Sequence, residues 1–418
     1  MLWEPGQSGD PADAAWLNAV GALATRHVNA ASAQGNNLRI LHITETHSRA
    51  AGGVTTVVHN LIQWLTAHRV ENALLTTGES EALPERGAMQ INLTSSSLAR
   101  RWAWSPDLVR TVEEVCERWR PDVLHLHGAW LAPQLVGAQV AARWRIPFVA
   151  TFHGMLDPYH WTDRGLLKEL RKKLYWRALG ARAFSKANVI HAITPLEGRT
   201  LARFFPGCTI KIVPNAVDLD FIDAQLSAAG EVSRERVLGF VGRMHPIKGI
   251  DALIDAFYRA KNAQGWRLVL AGPETSSKYQ SALDSRIRNA PKDRYIQRIG
   301  TLRGEDLWKF FRSAWCVAVP SRSEVMGMVN LEAAACGTFT LTTPETGLSD
   351  WEEGGGILVG NDVAALTEAL ERVCGMSGSE RELRGAKSRE LIAKKYSWSV
   401  AGEQWLDLYH SVAREHTI

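Results

Sequence analysis

The chain has 418 residues, 45% of them apolar and 22% charged, with a formal net charge of +4. That length favours two domains over one core, and the composition is that of a folded chain. No apolar run reaches the roughly 18 to 20 residues of a membrane-spanning helix, and MLWEPGQSGD lacks the basic and apolar pattern of a secretion signal, so a cytoplasmic location is expected.

Residues 1–37, rich in Ala, Gly and Asn, read as an N-terminal extension. Short β-rich apolar runs then alternate with longer amphipathic segments, the pattern of βα units feeding parallel sheets. LRILHIT (38–44), DVLHLH (122–127), PFVATFH (147–153) and NVIHAIT (188–194) predict strands of a first sheet. RVLGFVG (236–242), WRLVLAG (266–272), YIQRIG (295–300), WCVAVP (315–320) and TFTLTT (338–343) predict a second. The expectation is an α/β chain of two Rossmann-like, doubly wound domains, 38–217 and 218–395, dividing at IVPNAVDLD, with an amphipathic helix near Ser397 ending the chain. Five cysteines, scattered and without a CxxC pair, suggest neither a disulfide framework nor a zinc site.

Cations outnumber acids by 23 to 17 over residues 1–217. The excess centres on RGLLKELRKKLYWRALGARAFSK (164–186), with eight cations and one acid, where Leu167, Leu170 and Leu174 recur at helical spacing. An amphipathic helix with a cationic face follows, serving either as a solvated surface or as the seat of an anionic partner such as a membrane. No nucleic-acid-binding motif accompanies it.

In open parallel sheets ligands bind beyond the carboxyl ends of the strands. GFVGRMHPIKG (239–249) leaves such an end and leads into a helix, so Gly242, Arg243 and Lys248 fall where backbone N–H groups and two cations suit a diphosphate. PSRSEVMGMVNLEAAACG (320–337) repeats the plan. Glu324 stands in the loop mouth, Gly327 at the turn leaves the N–H groups of Met328 and Val329 open to a phosphate, and Glu332, one helical turn on, reaches a diol. Asp218 and Asp220 form a D-x-D pair at the interdomain hinge, where a turn role is expected.

GRMHPIKG, LVLAGP (268–273), RIGTL (298–302) and PSRSEVMGMVNLEAAACG, in that order and spacing, resemble the donor-binding domain of family-4-type retaining glycosyltransferases with the GT-B fold. THSRAAGGVTTVVHNL (46–61) and ATFHGMLDP (150–158) resemble the opposing domain, and HGMLDP before a basic helix is similar to bacterial enzymes extending lipid-linked surface polysaccharides. The resemblance implies metal-independent transfer of a sugar from a UDP- or GDP-sugar, as substrate rather than cofactor, to a glycan acceptor, lipid-linked at the inner membrane face. The same fold with a soluble sugar, sugar phosphate or small metabolite as acceptor is the alternative, and a non-enzymatic sugar-nucleotide-binding protein is a third reading. By resemblance Gly52 and Gly53 lie near the donor phosphates, Arg243 and Lys248 neutralise the leaving diphosphate, and Glu324 and His153 face the sugar. Glu332 takes the ribose, backbone near Arg298 and Ile299 reads the base, and residues 396–418 pack back on the first domain. Val325 and Met326 stand where the family pattern has glycine and an aromatic. Asp157 is the one acidic candidate for a base near the sugar.

Overall fold

A computed structural model describes residues 38–414 apart from 49–51, 84–87, 97–99, 163–165, 229 and 231. The extension expected over 1–37, the first two residues of the basic stretch and the side chain of Leu167 lie outside the described residues.

The first sheet comprises β1 (Arg39–Ile43), β2 (Glu71–Thr76), β3 (Ala88–Asn92), β4 (Val123–His127), β5 (Phe148–Thr151), β6 (Val189–Ala192) and β7 (Ile210–Ile212). All pairs are parallel, in the order β3-β2-β1-β4-β5-β6-β7. The second comprises β8 (Val237–Val241), β9 (Arg267–Ala271), β10 (Tyr295–Arg298), β11 (Cys316–Val319), β12 (Thr340–Thr342) and β13 (Ile357–Leu358). It is also parallel, in the order β10-β9-β8-β11-β12-β13. Helices cover both faces, so the central strands are buried on both sides and read as near-continuous apolar runs. The strand order reverses at β1/β4 and at β8/β11, and the loops leaving those strands open onto the cleft between the domains.

The closing helix, Trp398–Arg414, returns to the first domain. Val217 N–H donates to Tyr396 O at 2.9 Å, and Trp398 N–H to Val217 O at 3.2 Å, tying the start of that helix to the interdomain hinge. Trp398, Trp405, Leu408, Tyr409 and Val412 then pack with Leu38, Ile40, Val123 and Val189, each large side chain contributing about 1.5–3 kcal/mol by leaving water. A Cβ on Gly402 would lie 2.2 Å from the Trp64 ring, so this glycine sets how closely the helix docks.

The basic stretch is helical over Leu166–Tyr175, widens to a π turn over Trp176–Gly180 and closes with Ala181–Phe184. It sits on an aromatic cluster in which Trp176 touches Trp130, Trp161, Phe152, Phe184 and Phe205. Several of the chain's tryptophans are thus packing residues. Leu170 and Leu174 are 63% and 67% exposed, so this apolar stripe faces outward. Among the described residues no helix is long and apolar enough to cross a membrane.

Candidate functional site

The two loops flagged in the second domain interlock. Gly249 has φ +68° and its Cβ would lie 2.1 Å from Pro320 O, so only glycine lets the segment after β8 press on the end of β11. Arg322 N–H donates to Ile247 O at 2.7 Å, and its guanidinium to Pro246 O at 2.7 Å and Asp251 at 2.9 Å. His245 Nδ1 accepts from Ile247 N–H, capping the short turn Pro246–Lys248. Thus held, Lys248 Nζ lies 2.6 Å from Glu324 Oε1, and the Ser321 hydroxyl donates to the same oxygen. Arg243 is exposed and has no side-chain partner among the described residues. Behind it Gly272, φ +145°, would place a Cβ 1.8 Å from Gly242 O, so the turn after β9 backs directly onto Gly242.

Gly327 caps the helix Met328–Ala335, but its φ of −77° needs no glycine. Its Cβ would sit 2.5 Å from Asn330 Nδ2 and 3.2 Å from Thr346 Cβ, so packing excludes a side chain there. Of the two amides expected to be open, Met328 N–H turns back to Met326 O at 3.0 Å, whereas Val329 N–H has no acceptor among the described residues. Glu332 is half-buried without a side-chain hydrogen bond among the described residues, and desolvation pushes its carboxyl up to about 7. Arg298 is committed elsewhere, its guanidinium bonding Glu274, Gln280 and Asp284, and Ile299 N–H donates to Leu270 O at 3.1 Å.

Across the cleft His153 and Gly154 both have left-handed backbone, φ +50° and +75°. For a histidine this is an uncommon conformation, which the surroundings must hold. Glu197 holds it: its carboxylate accepts from Gly154 N–H and Ile193 N–H, both at 2.7 Å, while Thr194 Oγ1 accepts from Glu197 N–H at 3.2 Å. The fragment TPLE is a capping-box signal whose glutamate reaches across to the HGMLDP turn, and sequence reasoning passed it over. Desolvation pushes the Glu197 carboxyl up to about 7. A Cβ on Gly154 would come 2.9 Å from Val325 Cβ, so the His153 turn and the Glu324 loop meet here. A notch lined by Gly154, Asp157, Thr194, Glu197, Glu324 and Val325 marks the seam. Asp157 accepts from Tyr159 N–H at 2.9 Å, and Asp218 from Phe221 N–H at 2.9 Å, a turn-capping contact in each case. Gly52, φ +96°, and Gly53 open the helix Gly53–Ala67, and a Cβ on either would meet no described residue within 4 Å.

The family described as Glycosyltransferase Family 4 matches residues 51–221, and that described as Glycosyl transferases group 1 matches 235–375. A D-inositol 3-phosphate glycosyltransferase of Saccharomonospora viridis is 30% identical over 309 residues, covering 69% of each chain. The chain belongs to glycosyltransferase family 4. Another relative of that name, from Kineococcus radiotolerans, is 28% identical over 320 residues, 70% of this glycosyltransferase and 72% of the relative. Among solved structures, sucrose-phosphate synthase of Thermosynechococcus elongatus superposes with a TM-score of 0.69 at 19% identity, over 90% of this chain and 99% of that one. Anabaena HepE, solved with UDP and glucose, superposes with a TM-score of 0.67 at 18% identity, over 90% and 100%. These neighbours establish the GT-B fold for this glycosyltransferase.

One feature of the glycosyltransferase went unread in its sequence. His42 on β1, His125 and His127 on β4, and His191 on β6 stand in the buried sheet beside His153. Burial lowers the imidazolium of His42 and of His191 to about 4, that of His153 to about 3, with His191 adding repulsion, and those of His125 and His127 well below the usual value. Ring nitrogens of His42, His125 and His127 lie within 4.8 Å of one another, a spacing that suits a metal ion. Yet every ring nitrogen of the three already has a hydrogen-bond partner.

Proposed function

We propose that this family-4 enzyme transfers a sugar, with retention and without a metal, from a UDP- or GDP-sugar to a hydroxyl of a small phosphate-bearing sugar or polyol. The observation that carries the donor half is the convergence of Lys248, Glu324 and unpartnered Glu332 beyond the carboxyl ends of β8 and β11. Lys248 with Arg243 meets the diphosphate, and Val329 N–H adds a donor at the helix start. Glu332 accepts from the ribose hydroxyls. Glu324, released from Lys248 as the phosphates arrive, accepts from the sugar, with His153 on its other side. The acceptor hydroxyl attacks from the face the phosphate leaves, and the departing phosphate oxygen takes its proton, so no carboxylate nucleophile is needed. The phosphate-bearing acceptor rests on the relatives, which include D-inositol 3-phosphate glycosyltransferases, and on neighbours that include a trehalose-phosphate synthase.

One observation favours a lipid-linked acceptor instead. Leu170, Leu174 and Leu179 are exposed on a stretch that carries Lys168, Arg171, Lys172 and Lys173, a surface suited to anionic headgroups. A panel of UDP- and GDP-sugars assayed against inositol 3-phosphate and glucose 6-phosphate tests the main reading, with the product's anomeric configuration read by NMR. Transfer with retention, lost in Glu324→Ala and Lys248→Ala, is expected. Transfer only in the presence of anionic liposomes and a polyprenol-linked sugar would replace it with the lipid-linked reading. Nucleotide-sugar binding without transfer or hydrolysis would make the protein a binding module.

A further inference from the structure

The buried histidines form a directional array whose sense can be read from one end. Asn72 on β2 fixes the start: its amide Nδ2 donates to Val70 O and Thr66 Oγ1, both at 3.0 Å. A backbone carbonyl only accepts, so the amide cannot be reversed and Oδ1 faces His42 as an acceptor. His42 Nε2–H therefore donates to Asn72 Oδ1 at 3.3 Å, which leaves Nδ1 of neutral His42 with a lone pair. His127 Nε2–H donates to that lone pair at 3.1 Å, leaving its own Nδ1 as an acceptor. His153 Nε2–H in turn donates to His127 Nδ1 at 3.2 Å. Each ring has one proton to give, so a choice made at Asn72 propagates across four neighbouring strands to the turn after β5.

We propose that Asn72, His42 and His127 are positioning residues that lock His153 as the Nε2–H tautomer, so that its Nδ1 offers a lone pair to a hydroxyl of the donor sugar. This rests on the proposed function, in which His153 faces that sugar. Nδ1 of His153 has no hydrogen-bond partner among the described residues, and the residue is only half-buried at the cleft. The left-handed backbone at His153, next to Gly154 whose N–H Glu197 holds, sets where the side chain leaves the main chain. Burial keeps His42, His127 and His153 neutral at pH 7, the condition under which each ring has one donor and one acceptor. Specificity follows: a lone pair here accepts from a sugar hydroxyl and repels a carboxylate, so donors bearing a hydroxyl at that point are preferred over uronate donors.

The test is long-range ¹H–¹⁵N NMR of the full chain labelled at histidine, with His153→Asn assigning the signal. The array predicts protonated Nε2 and unprotonated Nδ1 on His153 in the free enzyme. Finding Nδ1–H there overturns it, whatever the protein's activity. In His42→Phe, which touches no proposed substrate contact, the His153 signal should become a tautomer mixture. There kcat/KM for sugar transfer should fall about tenfold while UDP affinity stays unchanged; an unaltered His153 pattern overturns the proposal. If His42→Phe does not fold, the wild-type tautomer still decides. Adding equimolar Zn²⁺ should leave the wild-type spectrum unchanged, and loss of the His42 and His127 signals would put a metal site in place of the array. Lack of turnover with every nucleotide sugar would count against the proposed function, while the tautomer stands or falls on the spectrum.

Discussion

Glu332 offers the sharpest link between structure and ligand binding. Its carboxyl has no hydrogen-bond donor among the described residues, and desolvation pushes it up to about 7, so at neutral pH about half the molecules carry it protonated. Two ribose hydroxyls would both donate to the ionised form, whereas the acid form can accept fully on one oxygen only. If the ionised form alone binds, the apparent affinity for a nucleoside diphosphate should weaken about tenfold between about pH 8 and about pH 6, following the fraction ionised. The nucleotide's own phosphate also titrates in this range, so the informative quantity is the difference between wild type and Glu332→Gln. Calorimetric titration with the preferred diphosphate at three pH values gives both slopes. The variant should bind more weakly than wild type at about pH 8 and lose the extra tenfold dependence. Equal slopes would refute the assignment of Glu332 to the ribose.

Lys248→Met should leave the Glu324 carboxylate without its cation in a largely enclosed loop, costing about 1–3 kcal/mol of stability by urea titration and lowering kcat/KM at least a hundredfold. Tyr409→Phe removes the hydroxyl that donates to His125 Nδ1 at 2.7 Å, and should cost about 1–3 kcal/mol, read as a lower urea midpoint, with nucleotide affinity unchanged. Gly154→Ala places a Cβ against Val325 in a left-handed backbone position, so turnover should fall while UDP still binds the second domain; unchanged turnover would remove this contact from the account. Acid should unfold the protein early. Four buried histidines and half-buried His153 have folded values below their ordinary 6.5, so the unfolded chain takes up protons first and stability is lost as pH falls from about 6.5. Glu197 and Glu332, raised to about 7, work in the opposite sense and gain stability over the same descent. Five groups at about 2 kcal/mol against two at about 2 leave a net loss of about 6 kcal/mol from pH 7 to pH 5, measurable by urea titration.

Most strands legible in the sequence have apolar runs buried on both faces, such as VLGFV at β8 and CVAV at β11, whereas β10, also legible, is a partly exposed edge strand. β2, β3 and β13 are not among the expected strands, because ENALLT and AMQIN mix polar residues into short apolar runs and β13 spans two residues. The pairing of Lys248 with Glu324 was half legible: both stand out by motif, but their contact depends on Gly249 fitting under Pro320, which spacing does not reveal. Glu197 carried a readable capping signal whose long reach to Gly154 depends on tertiary packing. The histidine array depends on register, which sets His42 opposite His125 and Thr151 opposite His191. The available hint was a histidine in each of the four first-sheet strand segments recognised in the sequence, LRILHIT, DVLHLH, PFVATFH and NVIHAIT. The exposed leucines show the reverse case, since helical spacing alone does not say whether an apolar stripe meets a core or the outside.

In the proposed reaction the second domain holds a nucleoside diphosphate between Lys248 and Glu332. Thermal unfolding titrated with UDP, GDP, ADP and NAD, on wild type and on Glu332→Ala, tests it directly. One diphosphate at a hundredfold its Kd should stabilise the wild type by about 2.7 kcal/mol, with most of that gain lost in the variant. Stabilisation by NAD above every diphosphate, or by none of the four, would contradict it.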